Sequence, residues 1–83
     1  MEKERRNRIR LMVAAYAYEV LNDSVMGDAE YDALSRSIDL TVDTGSSEND
    51  AFFRSHFSPD TGMWIRRYPH LDQLHKLYAL HYC

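Results

Sequence analysis

The sequence is poor in several features that would assign a protein to a class at once: it has one cysteine, two lysines and no long hydrophobic run. Because the cysteine is the terminal Cys83, no internal disulfide is possible and nothing indicates an oxidising compartment. The longest apolar run begins at Leu11 and ends before Glu19, far short of the ~20 residues that cross a membrane. No signal-peptide pattern follows the charged start, so we expect a cytoplasmic protein.

Chemical motifs are also missing. The chain has no glycine-rich phosphate loop, no internal repeat and no low-complexity tract. The four histidines include no i, i+4 pair and accompany no cysteine pair, so the sequence predicts no metal site. His70 lies near Asp72, but no serine or cysteine is placed as a nucleophile beside them. We therefore expect a protein that is not an enzyme.

Hydrophobic spacing predicts a helical fold. Apolar residues recur with helical periodicity over residues 3–22, 28–40, 48–56 and 69–82. Asp28 is expected to cap the second helix and Ser46 or Ser47 the third, while residues 63–65 form an apolar run suited to an extended segment. The predicted fold is a single all-α domain over residues 1–83, a small bundle of three to four helices with a helical hairpin at its N-terminus.

Charge is segregated along the chain. Residues 1–10 carry five basic and two acidic side chains, whereas residues 19–50 carry nine acidic side chains against Arg36 alone. The acidic stretch suits a face that binds a basic protein partner, even by imitating nucleic acid, and the alternative is an ordinary solvated acidic face. The basic start would instead suit nucleic-acid phosphates, although the aromatic residues typical of RNA binding are missing there.

The most informative segment is residues 16–34, which read YAYEVLNDSVMGDAEYDAL. Asp28, Tyr31 and Asp32 share one helical face because they are three and four residues apart. Together with Tyr18 they bring two rings and two carboxylates to one turn, a set suited to a flat, cationic ligand that bears hydroxyl groups. The alternative is a helical hairpin with packed tyrosines and an ordinary helix start.

This segment resembles the small N-terminal helical domain of bacterial NAD-dependent DNA ligases, in which a tyrosine-rich helix precedes a DAEYD-type motif. The SPDTG stretch, Ser58 to Gly62, is similar to a segment that follows that domain. The resemblance implies recognition of nicotinamide mononucleotide, the nicotinamide half of NAD. Tyrosines would sandwich the pyridinium ring, and carboxylates would accept hydrogen bonds from the ribose or carboxamide. The implied cofactor-binding residues are Tyr18, Asp28, Tyr31 and Asp32.

The chain departs from the ligase pattern at two points. Glu19 stands where the ligases usually have a histidine close to the phosphate, and a carboxylate there would repel a phosphate. The ligase nucleophile is a lysine in a K-x-D-G motif, whereas Lys3 and Lys76 lie in no such motif. The chain by itself is therefore not expected to ligate DNA.

Three hypotheses of function follow. The sequence favours a small non-catalytic interaction protein, for example a phage or mobile-element accessory protein or inhibitor, whose acidic face binds a larger protein partner such as a nucleic-acid-handling complex. The alternatives are a module that binds NAD or nicotinamide mononucleotide, and a weak nucleic-acid binder that uses the basic N-terminus. The partner-binding residues of the first hypothesis would be Glu19, Asp23, Asp39, Trp64, Arg66 and Arg67.

Overall fold

The computed structural model describes residues 2–82, and within them the chain is helical with no strand. The elements are α1 (Glu2–Val20), α2 (Asp28–Ser37), α3 (Ser47–His56), a 3₁₀ helix (Met63–Arg67) and α4 (Leu71–Tyr82). The predicted all-α bundle is confirmed. None of the helices in this range is long and apolar enough to cross a membrane. The terminal Cys83, expected to be an unpaired thiol, lies outside the described residues.

Helix α1 is the centre of the bundle. It contacts α2, α4 and the 3₁₀ helix. Seven consecutive residues, 11–17, are buried, so the middle of α1 is covered on all sides rather than along one stripe. Three of these seven are the alanines Ala14, Ala15 and Ala17, whose small side chains let neighbouring elements approach closely.

Several boundaries differ from the sequence-based prediction. Helix α1 ends at Val20, and Asn22 follows in the left-handed conformation (φ 55°), which asparagine tolerates better than most residues. The predicted cap at Asp28 is wrong: Gly27 is the N-cap of α2 and provides no side-chain hydrogen bond. The predicted cap at Ser46 is confirmed, since its hydroxyl accepts from the Asn49 amide at 3.4 Å.

An aromatic cluster closes the core between α3 and the 3₁₀ helix. The Trp64 ring lies 5.3 Å from that of Phe53 and 5.1 Å from that of Phe57, measured between centroids. Trp64 is only 5% exposed. The expectation that Trp64 binds a partner is therefore wrong, and so is the extended segment predicted at residues 63–65, because a 3₁₀ helix turns Trp64 and Ile65 into the core.

A buried charged network ties α1 to α3 and to the loop before it. Arg8 is 3% exposed, and its Nε donates to Glu4 Oε2 at 2.7 Å while its Nη1 donates to Asp50 Oδ1 at 2.9 Å. Its Nη2 donates to the backbone carbonyls of Asp39 and Val42. Arg8 is fully engaged within the fold, so it is not available to nucleic-acid phosphates as the third hypothesis requires.

Acid should destabilise the protein through Asp50. Although burial opposes ionisation, hydrogen bonds from Thr44 and the nearby Arg8 guanidinium hold the pKa of Asp50 below its usual range. Such a carboxyl contributes stability above its unfolded pKa of about 3.9, and the contribution is lost as the pH falls toward the lower folded value. We expect the free energy of unfolding, measured in urea, to fall as the pH drops below about 4.

Two variants check this assignment. Asp50→Asn should flatten the decrease with pH, because the titrating group is gone. Asp72→Asn removes an exposed carboxylate with no partner in the described chain and should leave the slope as in the wild type. Equal slopes in Asp50→Asn and the wild type would show that another group is responsible.

Candidate ligand-binding cavity

A partly open cavity of about 180 Å³ lies between α1, the turn that follows it and the first turn of α2. The turn residues that line it are apolar or small, and they sit beneath the end of α1. One further wall comes from the loop before the 3₁₀ helix. The lining residues are Ala14, Ala15, Tyr18, Ser24, Val25, Met26, Asp28, Tyr31 and Gly62.

Two tyrosines face this cavity from different helices. Tyr18, on the last turns of α1, is 60% exposed, so most of its ring is available to a ligand. Tyr31 is half-buried, and burial raises the pKa of its phenol, with a smaller contribution from the Glu19 charge. The Tyr31 side chain is therefore a neutral ring at physiological pH. The alternative that both tyrosines are packed core residues does not describe Tyr18.

The Tyr31 hydroxyl lies at the inner end of its ring in a polar cluster. The Ser35 hydroxyl and the Trp64 indole nitrogen are close enough to oppose the rise in the Tyr31 pKa. None of these three buried polar atoms, however, has a hydrogen-bond partner of normal geometry. The Tyr31 ring is therefore positioned by packing against the hydrophobic core rather than by hydrogen bonds of its hydroxyl.

Asp28 is the carboxylate of the cavity. As the first residue of α2 it is exposed, and its carboxylate makes no hydrogen bond or ion pair with the rest of the described chain. Asp32 lies one helical turn further on and does not line the cavity. Both of its carboxylate oxygens accept from Arg36 Nε at 3.2 Å. Three of the four predicted cofactor-binding residues thus meet at one cavity, and Asp32 lies apart from them.

Gly62 allows the loop wall to approach Tyr31. A Cβ atom at this position would lie 3.1 Å from the Tyr31 hydroxyl oxygen and 3.7 Å from the Ala15 Cβ, closer to the hydroxyl than most side chains permit. The sequence likened the SPDTG stretch to a ligase segment, but it did not place this stretch against α1 and α2. The signal was present in the glycine that ends the turn, since glycine marks close approaches of the backbone.

Glu19 and Arg66 form an ion pair beside this wall. Arg66 Nε lies 3.3 Å from Glu19 Oε1, and Arg66 Nη2 donates to the Glu19 backbone carbonyl at 2.5 Å. The unfavourable charge expected from Glu19 is therefore offset by a cation from a distant part of the chain. Local sequence did not reveal this pair, because 47 residues separate its members.

The remaining predicted partner-binding acids are also used within the fold. The Asp23 carboxylate accepts a hydrogen bond from the Tyr78 hydroxyl. Asp39 Oδ1 accepts from the Thr41 amide at 3.0 Å and from its hydroxyl at 2.5 Å, and these bonds lower the pKa of Asp39. Arg67 is exposed. The three acids predicted to bind a partner, Glu19, Asp23 and Asp39, are thus each engaged within the fold.

Comparison with protein-family models, with curated proteins and with solved structures gives no match to the chain. Within residues 2–82, no three histidine, cysteine, aspartate or glutamate side chains are grouped so as to hold a metal ion. The geometry itself defines the site as a ring-sized cavity with two aromatic walls, a free carboxylate at one edge and an ion pair beside another wall.

Proposed function

We propose that the protein is a non-catalytic binding module for a nicotinamide nucleotide and that the cavity accepts the pyridinium ring. The observation that carries this proposal is that Tyr18, Asp28 and Tyr31, which come from two helices, line the same partly open cavity. The likeness of residues 16–34 to the ligase domain supports the same ligand class.

The chemistry of the lining suits a cationic ring. An aromatic face attracts a cation through its electron-rich π system, and Tyr18 and Tyr31 provide two such rings. Asp28 adds a negative charge that no side chain of the described chain neutralises. Its carboxylate would also accept hydrogen bonds from ribose hydroxyls, which are stronger when the acceptor is charged.

The volume of the cavity limits how much of the ligand it encloses. Pockets that hold complete drug-sized ligands measure roughly 300–1,000 Å³, against about 180 Å³ here. The cavity therefore holds a single ring, with the ribose and phosphate at its mouth. Because such a ligand keeps much of its surface in water, we expect a dissociation constant in the range of about 10 μM to 1 mM.

The two aspartates of α2 provide a matched test. Asp28→Asn should weaken nicotinamide mononucleotide binding about ten-fold, since it removes the free carboxylate at the cavity. Asp32→Asn removes the same charge one turn away, outside the cavity, and should change affinity less than two-fold. Isothermal titration calorimetry at about 0.15 M ionic strength, where the Debye length is about 8 Å, measures both constants, and circular dichroism confirms that both variants are folded.

The ring charge is tested separately with the reduced ligand. Reduced nicotinamide mononucleotide has a neutral ring of nearly the same shape, so it should bind more weakly than the oxidised form. Equal affinities for the two redox forms would show that ring charge is not recognised. No heat of binding at millimolar oxidised ligand, or equal losses in Asp28→Asn and Asp32→Asn, would refute the proposed site.

A second candidate is the protein-interaction module. It is favoured by two exposed apolar side chains, that of Tyr18, which lines the cavity, and that of Met63, which directly follows the lining residue Gly62. A partner could insert an apolar side chain into the cavity and cover these residues, with the nearby acids at the rim of the contact. This candidate gains support if the nucleotide fails to bind, and it does not use Trp64, which is buried.

A further inference from the structure

Arg66 is an anchored cation with most of its side chain facing solvent. The Glu19 backbone carbonyl and carboxylate together fix its Nη2 and Nε atoms. The Arg66 side chain is 55% exposed, whereas that of Glu19 is 15% exposed, so the guanidinium is the outward member of the pair. Arg66 Nη1 has no hydrogen-bond partner in the described chain. The group therefore presents free donors in a fixed orientation.

The pair borders the wall of the cavity. Gly62 lines the cavity and directly precedes the 3₁₀ helix that carries Arg66. The Glu19 Cγ atom would lie 3.6 Å from a Cβ placed on Gly62, on the same side of the glycine as Tyr31 and Ala15, so the stem of Glu19 packs against Gly62 next to the cavity. A ligand whose ring is in the cavity and whose remaining atoms pass over Gly62 would meet the Arg66 guanidinium.

We propose that Arg66 binds the phosphate of the nucleotide whose ring occupies the cavity. This inference rests on the proposed function and adds to it the ligand class: a zwitterion with a cationic ring and a phosphate, in preference to the free base or the nucleoside. Guanidinium–phosphate hydrogen bonds are charge-assisted, and the anchoring by Glu19 reduces the ordering cost of the arginine. The same pairing offsets the repulsion between Glu19 and the phosphate.

The test compares a ligand that has the phosphate with one that lacks it. The wild type should bind nicotinamide mononucleotide about ten-fold more tightly than nicotinamide riboside in calorimetry at low salt. Arg66→Gln should reduce this ratio to near one while riboside affinity stays unchanged. Arg67→Gln, which removes the same charge from the adjacent exposed arginine, is the matched control and should keep at least half of the ratio.

A double variant separates direct contact from masking of Glu19. If Arg66 binds the phosphate, the double variant Glu19→Gln/Arg66→Gln should still bind nicotinamide mononucleotide and nicotinamide riboside with an affinity ratio near one. A ratio restored to ten-fold would mean that Arg66 only neutralises Glu19, and direct contact would be refuted. A ratio unchanged in Arg66→Gln, or lost equally in Arg67→Gln, would also refute it. If the wild type binds neither ligand, the proposed function fails and this inference fails with it.

Discussion

We expect Arg8→Ala to lower the free energy of unfolding by about 3–5 kcal/mol, because it leaves two carboxylates buried without their cation. Glu4 and Asp50 each accept a hydrogen bond from the guanidinium, and both are buried. The backbone carbonyls of Asp39 and Val42 lose donors as well. An 83-residue domain has a total stability of about 4–12 kcal/mol, so this loss removes a quarter or more of it and unfolds the variant at room temperature if the wild type lies at the lower end of that range.

The matched control is Arg10→Ala, two residues further along α1. Arg10 pairs with Glu30 at 3.2 Å, but both side chains are more than half exposed, and such pairs contribute little. We expect a change of less than about 1 kcal/mol in the free energy of unfolding, measured by urea titration followed by circular dichroism. Similar losses in the two variants would show that the Arg8 network is not the main electrostatic contribution to stability.

The contrast between Arg8 and Arg10 also shows what the sequence alone could reveal. The periodicity of apolar residues predicted α1 as a helix. The continuous apolar run at its centre is what a helix segment covered on all sides requires. The same periodicity could not distinguish a solvent-exposed arginine from a buried one. Glu4 and Arg8 form an i, i+4 pair, which is a local signal, but Asp50 lies 42 residues away from Arg8 and only the folded chain brings it there.

The cavity was partly predictable for the same reason. Tyr18, Asp28 and Tyr31 lie within one helix–turn–helix segment, so local spacing and the ligase resemblance were enough to group them. Gly62 and Arg66 come from a distant loop and the following 3₁₀ helix, and no local pattern links them to that segment. Asp32 was grouped with the site because it shares a helical face with Asp28, yet the cavity ends before the next turn of α2.

The sequence and the structure give Trp64 opposite roles: a partner-binding surface residue and a buried core residue. We expect Trp64→Ala to lower the free energy of unfolding by about 3–5 kcal/mol, the usual cost of removing a buried aromatic ring. Three phenylalanine rings, those of Phe52, Phe53 and Phe57, would lose their contact with the indole. Each kcal/mol corresponds to roughly 4–8 °C in melting temperature for a domain of this size, so the loss is large in a thermal melt.

Met63→Ala is the control for Trp64→Ala, because Met63 precedes Trp64 in the same 3₁₀ helix but is exposed. Its effect on stability should stay within about 0.5 kcal/mol. Circular dichroism is the appropriate measurement, since Trp64 is the sole tryptophan and its fluorescence is lost in the variant. If Trp64 were instead a surface residue that binds a partner, Trp64→Ala would change the melting temperature little. A Trp64→Ala variant that melts like the wild type would therefore return Trp64 to the interaction surface and remove it from the core.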